Sequence, residues 1–443
     1  MFSITFSTNS AIKPLALAVN SGSPFILLGV IFFSLSRSGS SGVVSNITIW
    51  GTLTPSEYAV LEKTSGIYDD DTLIVTYKEV SEMDFDTVFV NALARGEGPD
   101  LVLMESGLLL KHVDKLVTIP YESYPRSTFE DTFIEAGDIL LTQNGILGIP
   151  FSIDPMVMYW NRTLFNNVGI ANPPSFWDQM YNVAQVFGIR DNAFNISQSG
   201  VALGEYSNIT HAKELLSALI MQAGGKVTKV SGTTISSDLM NKAGQTVIPA
   251  EAIVNYYTQF SNPNNAYYSW NRSLPGSQDF FVSGDLAVYF GLVSEAETIN
   301  LKNPNLNFQV TTIPQARNAS EKITYGQMNI LAIPRASSKV SSAFRAINLL
   351  TSNATLSGYA NMSGLPPVRL DLQQSVPLED ASARTFYTSA LWSRLWFDPD
   401  PERTEIIFKD MVESVTSGRE SVSSSVQTAS TRLQDLLENI SLE

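Results

Sequence analysis

The stretch over residues 145–180 constrains the fold most, because it changes from one kind of local structure to another. Residues 148–161 alternate short apolar runs with two prolines, which predicts extended chain that bends twice. Pro173-Pro174 excludes a helix at that point, and Ser175 with Asp178 three residues later has the pattern of a capping box. The middle of the chain is therefore predicted to pass from a bent strand into a helix.

The region that precedes this stretch alternates between strand and helix patterns. Three apolar runs predict strands over residues 46–51, 73–77 and 98–103. After the first run, Thr54, Pro55 and Glu57 have the arrangement of a capped helix start, and Gly96 ends a second helical pattern. Strand, helix, strand, helix, strand in this order predicts an α/β fold with parallel strands.

Composition excludes several functions. The chain has 443 residues, of which 44% are hydrophobic, so it can bury large cores and is predicted to form two domains. A net charge of −15 argues against nucleic acid as a partner, because phosphate neutralisation needs clustered Lys and Arg. The absence of cysteine excludes disulfides, thiolate catalysis, cysteine-based metal sites and a lipid-modified N-terminal cysteine.

An uncharged segment near the N-terminus lies between Lys13 and Arg37 and is most apolar over residues 24–35. Its length suffices for a membrane span, although polar residues interrupt it. Three interpretations remain open: an uncleaved signal-anchor over about residues 14–36, a signal peptide cut within residues 36–42, or a buried helix. We expect an exported protein at the cell surface or in the periplasm, tethered by this segment and not by a lipid.

Five motifs in order resemble the family 1 extracellular solute-binding proteins, the sugar receptors of bacterial ABC importers. The longest is GIPFSIDPMVMYWNRTLFNNVGIANPPSFWDQM (148–180), which departs from that family's usual pattern at Trp160, Arg162 and Phe176. The others are ALARGEGPDLVLMES (92–106), FFVSGDLAVYFG (280–291), YGQMNILAI (325–333) and GLPPVR (364–369).

This resemblance implies a two-lobed periplasmic-binding-protein-like fold of type II, with a ligand cleft between lobes that are joined by hinge crossings. The crossings are expected near residues 151–154, 327–330 and 364–367. The implied segments are an N-terminal signal or anchor and linker (1–44), the N-lobe (45–152 and 328–365) and the C-lobe (153–327 and 366–443). Closure on a ligand would present the form that a transporter recognises.

Candidate ligand contacts follow from the chemistry of sugars, which have apolar ring faces and polar rims. Four tryptophans are predicted to stack on the ligand: Trp50, Trp270, Trp392 and Trp396. Five side chains that follow strands or lie near crossings are predicted to bond its hydroxyls: Thr52, Glu105, Asp154, Ser294 and Gln327. Gly291 is predicted to allow a close backbone approach.

The expected function is capture of a small solute, a sugar or oligosaccharide, by a monomer that delivers it to ABC importer membrane subunits. No cofactor, metal or catalytic residue is predicted, since the chain has two histidines and no recognisable catalytic motif. Glu105 with Asp154 is the one carboxylate pair that would merit a test for glycoside hydrolysis. A surface-tethered adhesin or sensor on the same fold, and a peptide, polyamine or metal as cargo, stay open as alternatives.

Overall fold

The computed structural model describes residues 44–317, 319, 321–377 and 379–442. The predicted N-terminal anchor lies outside these residues, and so does all of the predicted linker except Val44. Among the described residues, no helix combines the length and the apolar character that a membrane crossing needs.

Strands are distributed along the whole described chain. They are β1 (Ser45–Gly51), β2 (Leu73–Glu79), β3 (Leu101–Glu105), β4 (Ile149–Asn161), β5 (Ile189–Arg190), β6 (Ile196–Val201), β7 (Thr228–Ser231), β8 (Thr234–Ser237), β9 (Leu286–Leu292), β10 (Phe308–Thr312), β11 (Thr324–Ala332) and β12 (Ser393–Arg394).

Helices alternate with these strands and dominate the C-terminal quarter. They are α1 (Pro55–Ser65), α2 (Phe85–Arg95), α3 (Arg126–Thr132), α4 (Arg162–Asn167), α5 (Met180–Phe187), α6 (Ala212–Gln222), α7 (Pro249–Thr258), α8 (Ser277–Val282), α9 (Glu295–Lys302), α10 (Val340–Leu350), α11 (Asn353–Ser363), α12 (Leu370–Gln373), α13 (Ala381–Trp392), α14 (Pro401–Thr416) and α15 (Val422–Leu437).

The helix starts show how local sequence sets these limits. Thr54 caps α1, and the Glu57 carboxylate accepts the backbone N–H of Thr54 at 2.7 Å, which completes the predicted capping box. The capping box predicted at Ser175 is wrong, because Asp178 is not the residue that accepts the backbone N–H there. Gln179, not Asp178, accepts the backbone N–H of Ser175 at 2.8 Å, and the Asp178 carboxylate instead pairs with Arg317.

The sheet has two halves that share its central strands. The order is β2-β1-β3-β11-β4-β9-β6-β5, with β10 also bonded to β4 and β12 to β11. Strands β1, β2 and β3 are parallel, as the alternation of strand and helix patterns predicts. Strand β11 runs antiparallel to both β3 and β4, and β9 runs antiparallel to β4.

Strand β4 connects the two halves. From Ile149 to Pro155 it pairs with β11, and from Met156 onward it pairs with β9 and β10. The first two predicted crossings lie within β4 and β11. Near the third, the Ile134 N–H donates to the Val368 carbonyl at 2.9 Å, so residues 366–369 still lie against residues 133–134. The segment limits themselves stay predictions.

Candidate functional site

The face of β11 that does not join the core carries three polar side chains. Along the strand, Tyr325, Gln327 and Asn329 are half-buried, whereas the residues between them are buried. Alternate residues of a strand point to opposite faces, so these three side chains lie on one face. The same residues fall within the family-like motif of the sequence analysis, and they mark the floor of the candidate site.

Pairing between strands adds two carboxylates to this row. Asn329 lies opposite Glu105 of β3 on one side and Ser152 of β4 on the other, and Gln327 lies opposite Asp154. Residues directly opposite each other in a ladder point to the same face. Glu105, Asp154 and Gln327, which were named from sequence as separate candidates, therefore share one surface where the two halves of the sheet meet.

A cavity of about 170 Å³ lies against one end of this row. Thr52, Glu105 and Asn329 line it from the sheet, and Pro401 and Glu402 line it from the start of α14. We call it the acidic cavity. The acidic cavity confirms no ligand contact, but Thr52 and Glu105, two of the predicted ligand contacts, both line it.

Glu105 is the most perturbed carboxyl group of the acidic cavity. Burial, reinforced by the charge of Glu82, raises its pKa to about 7, although the ammonium of Lys213 acts in the opposite direction. No hydrogen bond or ion pair to its carboxylate is found among the described residues. The Glu105 side chain is half-buried, and a carboxylate with free lone pairs can bind a ligand hydroxyl or a cation.

Asp154 has a comparable environment near the point where β4 changes partners. Burial raises its pKa to about 6, while hydrogen bonds from Ser294 lower it. The Ser294 N–H donates to Asp154 Oδ1 at 3.1 Å, so two predicted ligand contacts meet here. Gly291 lies on the adjacent strand, and a Cβ atom there would lie 2.5 Å from the Tyr289 ring and 2.8 Å from Glu295. Glycine is thus required at this position by protein packing.

A histidine that the sequence analysis did not select lies beside Asp154. His211 Nε2 contacts Glu295 Oε1 at 2.5 Å, and Glu295 also accepts hydrogen bonds from Tyr289 and Gln278. Burial acts to lower the pKa of His211, but the Glu295 carboxylate raises it above its usual range. The His211 backbone is left-handed, with φ of 57°, an uncommon conformation for a residue with a side chain.

Two lysines near the acidic cavity are already paired. Lys213 Nζ lies 3.0 Å from Asp398 Oδ2 in a buried ion pair that joins α6 to the segment before α14. Lys111 Nζ lies 2.9 Å from Asp86 and 3.1 Å from Asp400, the N-cap of α14. The pairs with Asp398 and Asp400 join positions more than a hundred residues apart, so no local sequence pattern could have indicated them.

Two of the four predicted stacking tryptophans are part of the core. Trp270 is fully buried, and its indole N–H donates to Asn208 at 3.0 Å. Trp50 is 6% exposed, and the Lys78 ammonium lies 4.0 Å from its ring centre. Neither ring presents a free face in this structure, and the physical reason is that each already has protein partners on the surfaces that a sugar would need.

The other two predicted tryptophans lie apart from the acidic cavity. Lys322 lies 4.7 Å from the ring centre of Trp392 at the end of α13. Trp396 lines a separate cavity of about 670 Å³, together with Arg394 and Glu135, which form an ion pair at 2.6 Å. This larger cavity shares no lining residue with the acidic cavity.

The site as a whole offers hydrogen-bond acceptors and donors at the junction of the two halves of the sheet, with apolar contacts nearby. Among the described residues, no group of three or more His, Asp or Glu side chains is arranged to hold a metal ion. The arrangement suits noncovalent capture of a small polar molecule, because its free groups are hydrogen-bonding groups on two connected halves of the sheet.

Comparison with known proteins places the chain in a family. The model for bacterial extracellular solute-binding proteins matches residues 75–355, more than half of the chain. Diacetylchitobiose binding protein DasA of Streptomyces coelicolor is 24% identical over 267 residues, 58% of this chain and 59% of that protein. A putative binding protein of Brucella abortus is 29% identical over 89 residues, 20% of this chain and 22% of its own length. The matched part thus spans about a fifth of the Brucella relative.

Solved structures share the fold at low identity. A cyclo/maltodextrin-binding protein complexed with maltotetraose has a TM-score of 0.71 and 15% identity, covering 90% of this chain and 99% of that one. A cyclic alpha-maltosyl-1,6-maltose binding protein from Arthrobacter globiformis has a TM-score of 0.70 and 14% identity, covering 89% and 100%. These matches confirm the predicted two-lobed α/β fold. With the family match, they lead to one conclusion: the chain belongs to the bacterial extracellular solute-binding proteins.

Proposed function

We propose that this protein captures a carbohydrate between its two lobes and delivers it to the membrane subunits of an ABC importer. The observation that carries the proposal is the polar row on β11, which sets Glu105 and Asp154 on one surface at the junction of the two sheet halves. The family match supports the same class of ligand, as do the sugars for which the two structural neighbours described above are named.

The chemistry of the row favours hydroxyl-bearing ligands over anionic ones. Carboxylates whose pKa is raised by burial act as acceptors for ligand hydroxyls and, when protonated, as donors. The lysines near the acidic cavity are paired with aspartates, so they do not offer a free cation to a phosphate or carboxylate group. Leu108 adds apolar contact area for a ring face.

The remaining parts of the assignment belong to the same proposal. The protein acts outside the cytoplasm as a monomer, bound to the membrane through residues 14–36, and the limits of its lobes are those given in the sequence analysis. Ligand contacts are made by Thr52, Glu105, Asp154, Ser294 and Gln327. Trp50 and Trp270 serve stability and not stacking, because both rings are buried.

A stability screen tests the proposal. The thermal midpoint is measured against mono-, di- and oligosaccharides, polyols and amino acids, because a ligand at about a hundred times its Kd adds about 2.7 kcal/mol. We expect one carbohydrate to raise the midpoint and Asp154→Asn to reduce the rise, with the exposed Asp435→Asn as the matched control. Stabilisation by amino acids alone would refute the carbohydrate class.

A further inference from the structure

The charges around the acidic cavity are unbalanced. Among the described residues, Lys111 is the one cationic side chain in its lining, and it is paired with Asp86 and Asp400. Three other carboxylates of the lining have no cationic partner within the described part of the chain: Glu82, Glu105 and Glu402. An empty cavity of this kind holds more negative charge than its own lysine can neutralise.

The charged groups just outside the acidic cavity do not neutralise its excess negative charge. Lys213 acts on Glu105, but it is bound to Asp398 at 3.0 Å, and Glu214 of the same helix adds a further negative charge toward Glu105. Tyr325 lies within the electrostatic field of the same carboxylates, Glu105, Glu214 and Asp398. The perturbed Glu105 carboxyl group is thus surrounded by net negative charge and not only by apolar atoms.

From this geometry we infer that the cleft takes a saccharide that carries a primary ammonium group, with the ammonium in the acidic cavity beside Glu105. The inference rests on the proposed carbohydrate function and names the chemical class of its ligand. An ammonium supplies three donors to the unpaired carboxylates and the positive charge that the lining lacks. Leu108 and Pro401 then contact the apolar ring face.

An N-acetylated amine would not meet the same need. Its amide N–H supplies a single donor and no charge, and its acetyl group must also fit within about 170 Å³ of space. Since opposite charges attract more strongly where water is excluded, the difference between the two forms should appear as affinity. This leads to a comparison of two ligands that differ only in acetylation.

Isothermal titration of the full chain at about pH 7 with chitobiose, the free-amine glucosamine disaccharide, and with N,N′-diacetylchitobiose provides the test. We expect the free amine to bind at least about tenfold more tightly, which corresponds to about 1.4 kcal/mol, and added salt to reduce the ratio. Glu105→Gln should lower this ratio, and the exposed Glu438→Gln should keep it at the wild-type value.

Three results would overturn the inference. The first is equal or tighter binding of the acetylated disaccharide, and the second is a ratio that Glu105→Gln leaves unchanged. The third is binding of neither disaccharide. Spermidine is the third probe, and its binding in place of both disaccharides would refute the saccharide part. The carbohydrate function would still be judged by the neutral sugars of the stability screen, so failure of the amine preference and failure of the proposed function give different patterns.

Discussion

Replacing Glu105 by Gln should stabilise the folded protein, in a way that depends on pH. Burial and the charge of Glu82 raise the pKa of Glu105 from 4.5 to about 7, so the ionised carboxylate is less stable in the fold than in the unfolded chain. Gln resembles the protonated form in size and cannot ionise. The substitution therefore removes a destabilising charge while preserving the shape of the side chain.

The sign and size of this effect on the free energy of unfolding follow from proton binding to Glu105. Between about pH 4.5 and pH 7 the folded state holds this proton and the unfolded state releases it, so stability falls as pH rises. Above about pH 7 the full cost applies, about 3 kcal/mol at 1.36 kcal/mol per pKa unit. Near pH 5 less than about 1 kcal/mol of the cost remains. Glu105→Gln should recover these amounts.

Urea unfolding at about pH 5 and about pH 8 measures the effect. We expect Glu105→Gln to gain about 2 kcal/mol more at the higher pH than at the lower one, with Glu438→Gln showing no such difference. An equal effect of Glu105→Gln at the two pH values, or a loss of stability at the higher one, would refute the raised pKa of this carboxyl group.

Three further predictions concern stability. Thr54→Ala should cost about 1 kcal/mol in thermal unfolding because it removes the capping box of α1, whereas Thr54→Ser should retain most of it. Trp270→Ala should cost about 3–5 kcal/mol in urea unfolding because the ring is fully buried; a loss near zero would contradict its structural role. Lys111→Met should lower stability by about 1 kcal/mol at low salt, and less at high salt, because it separates Asp86 and Asp400; equal losses at both salts would exclude an electrostatic role.

Much of the fold could be predicted from local patterns. The capped start of α1 and the parallel order of β1 to β3 follow from residue types at fixed spacing. The alternation in β11 is also visible in the sequence, where Tyr325, Gln327 and Asn329 alternate with smaller or apolar residues. The sequence does not show which strand pairs with β11. Its pairing with β4 is what places Asp154 opposite Gln327.

The candidate site was predicted in part. Several polar candidates lie together in the structure, since Asp154 and Ser294 meet directly, and their contact with a ligand stays a prediction. Two of the predicted tryptophans, Trp50 and Trp270, are core residues, because a tryptophan is equally suited to a core. The Asn208 partner of Trp270 lies 62 residues away in the chain. His211 was missed because its significance depends on Glu295, which is 84 residues away.

The change of partners within β4 has a mechanical consequence. Pro155, which has no N–H, faces Gly326, which has no side chain, at the point where pairing passes from β11 to β9. If the two halves of the sheet rotate against each other about Pro155 and Gly326, this point is the fulcrum. A residue then moves farther the more distant it is from the fulcrum. Asp154 is adjacent to the fulcrum and keeps its place, whereas Pro401 at the wall of the acidic cavity travels farther.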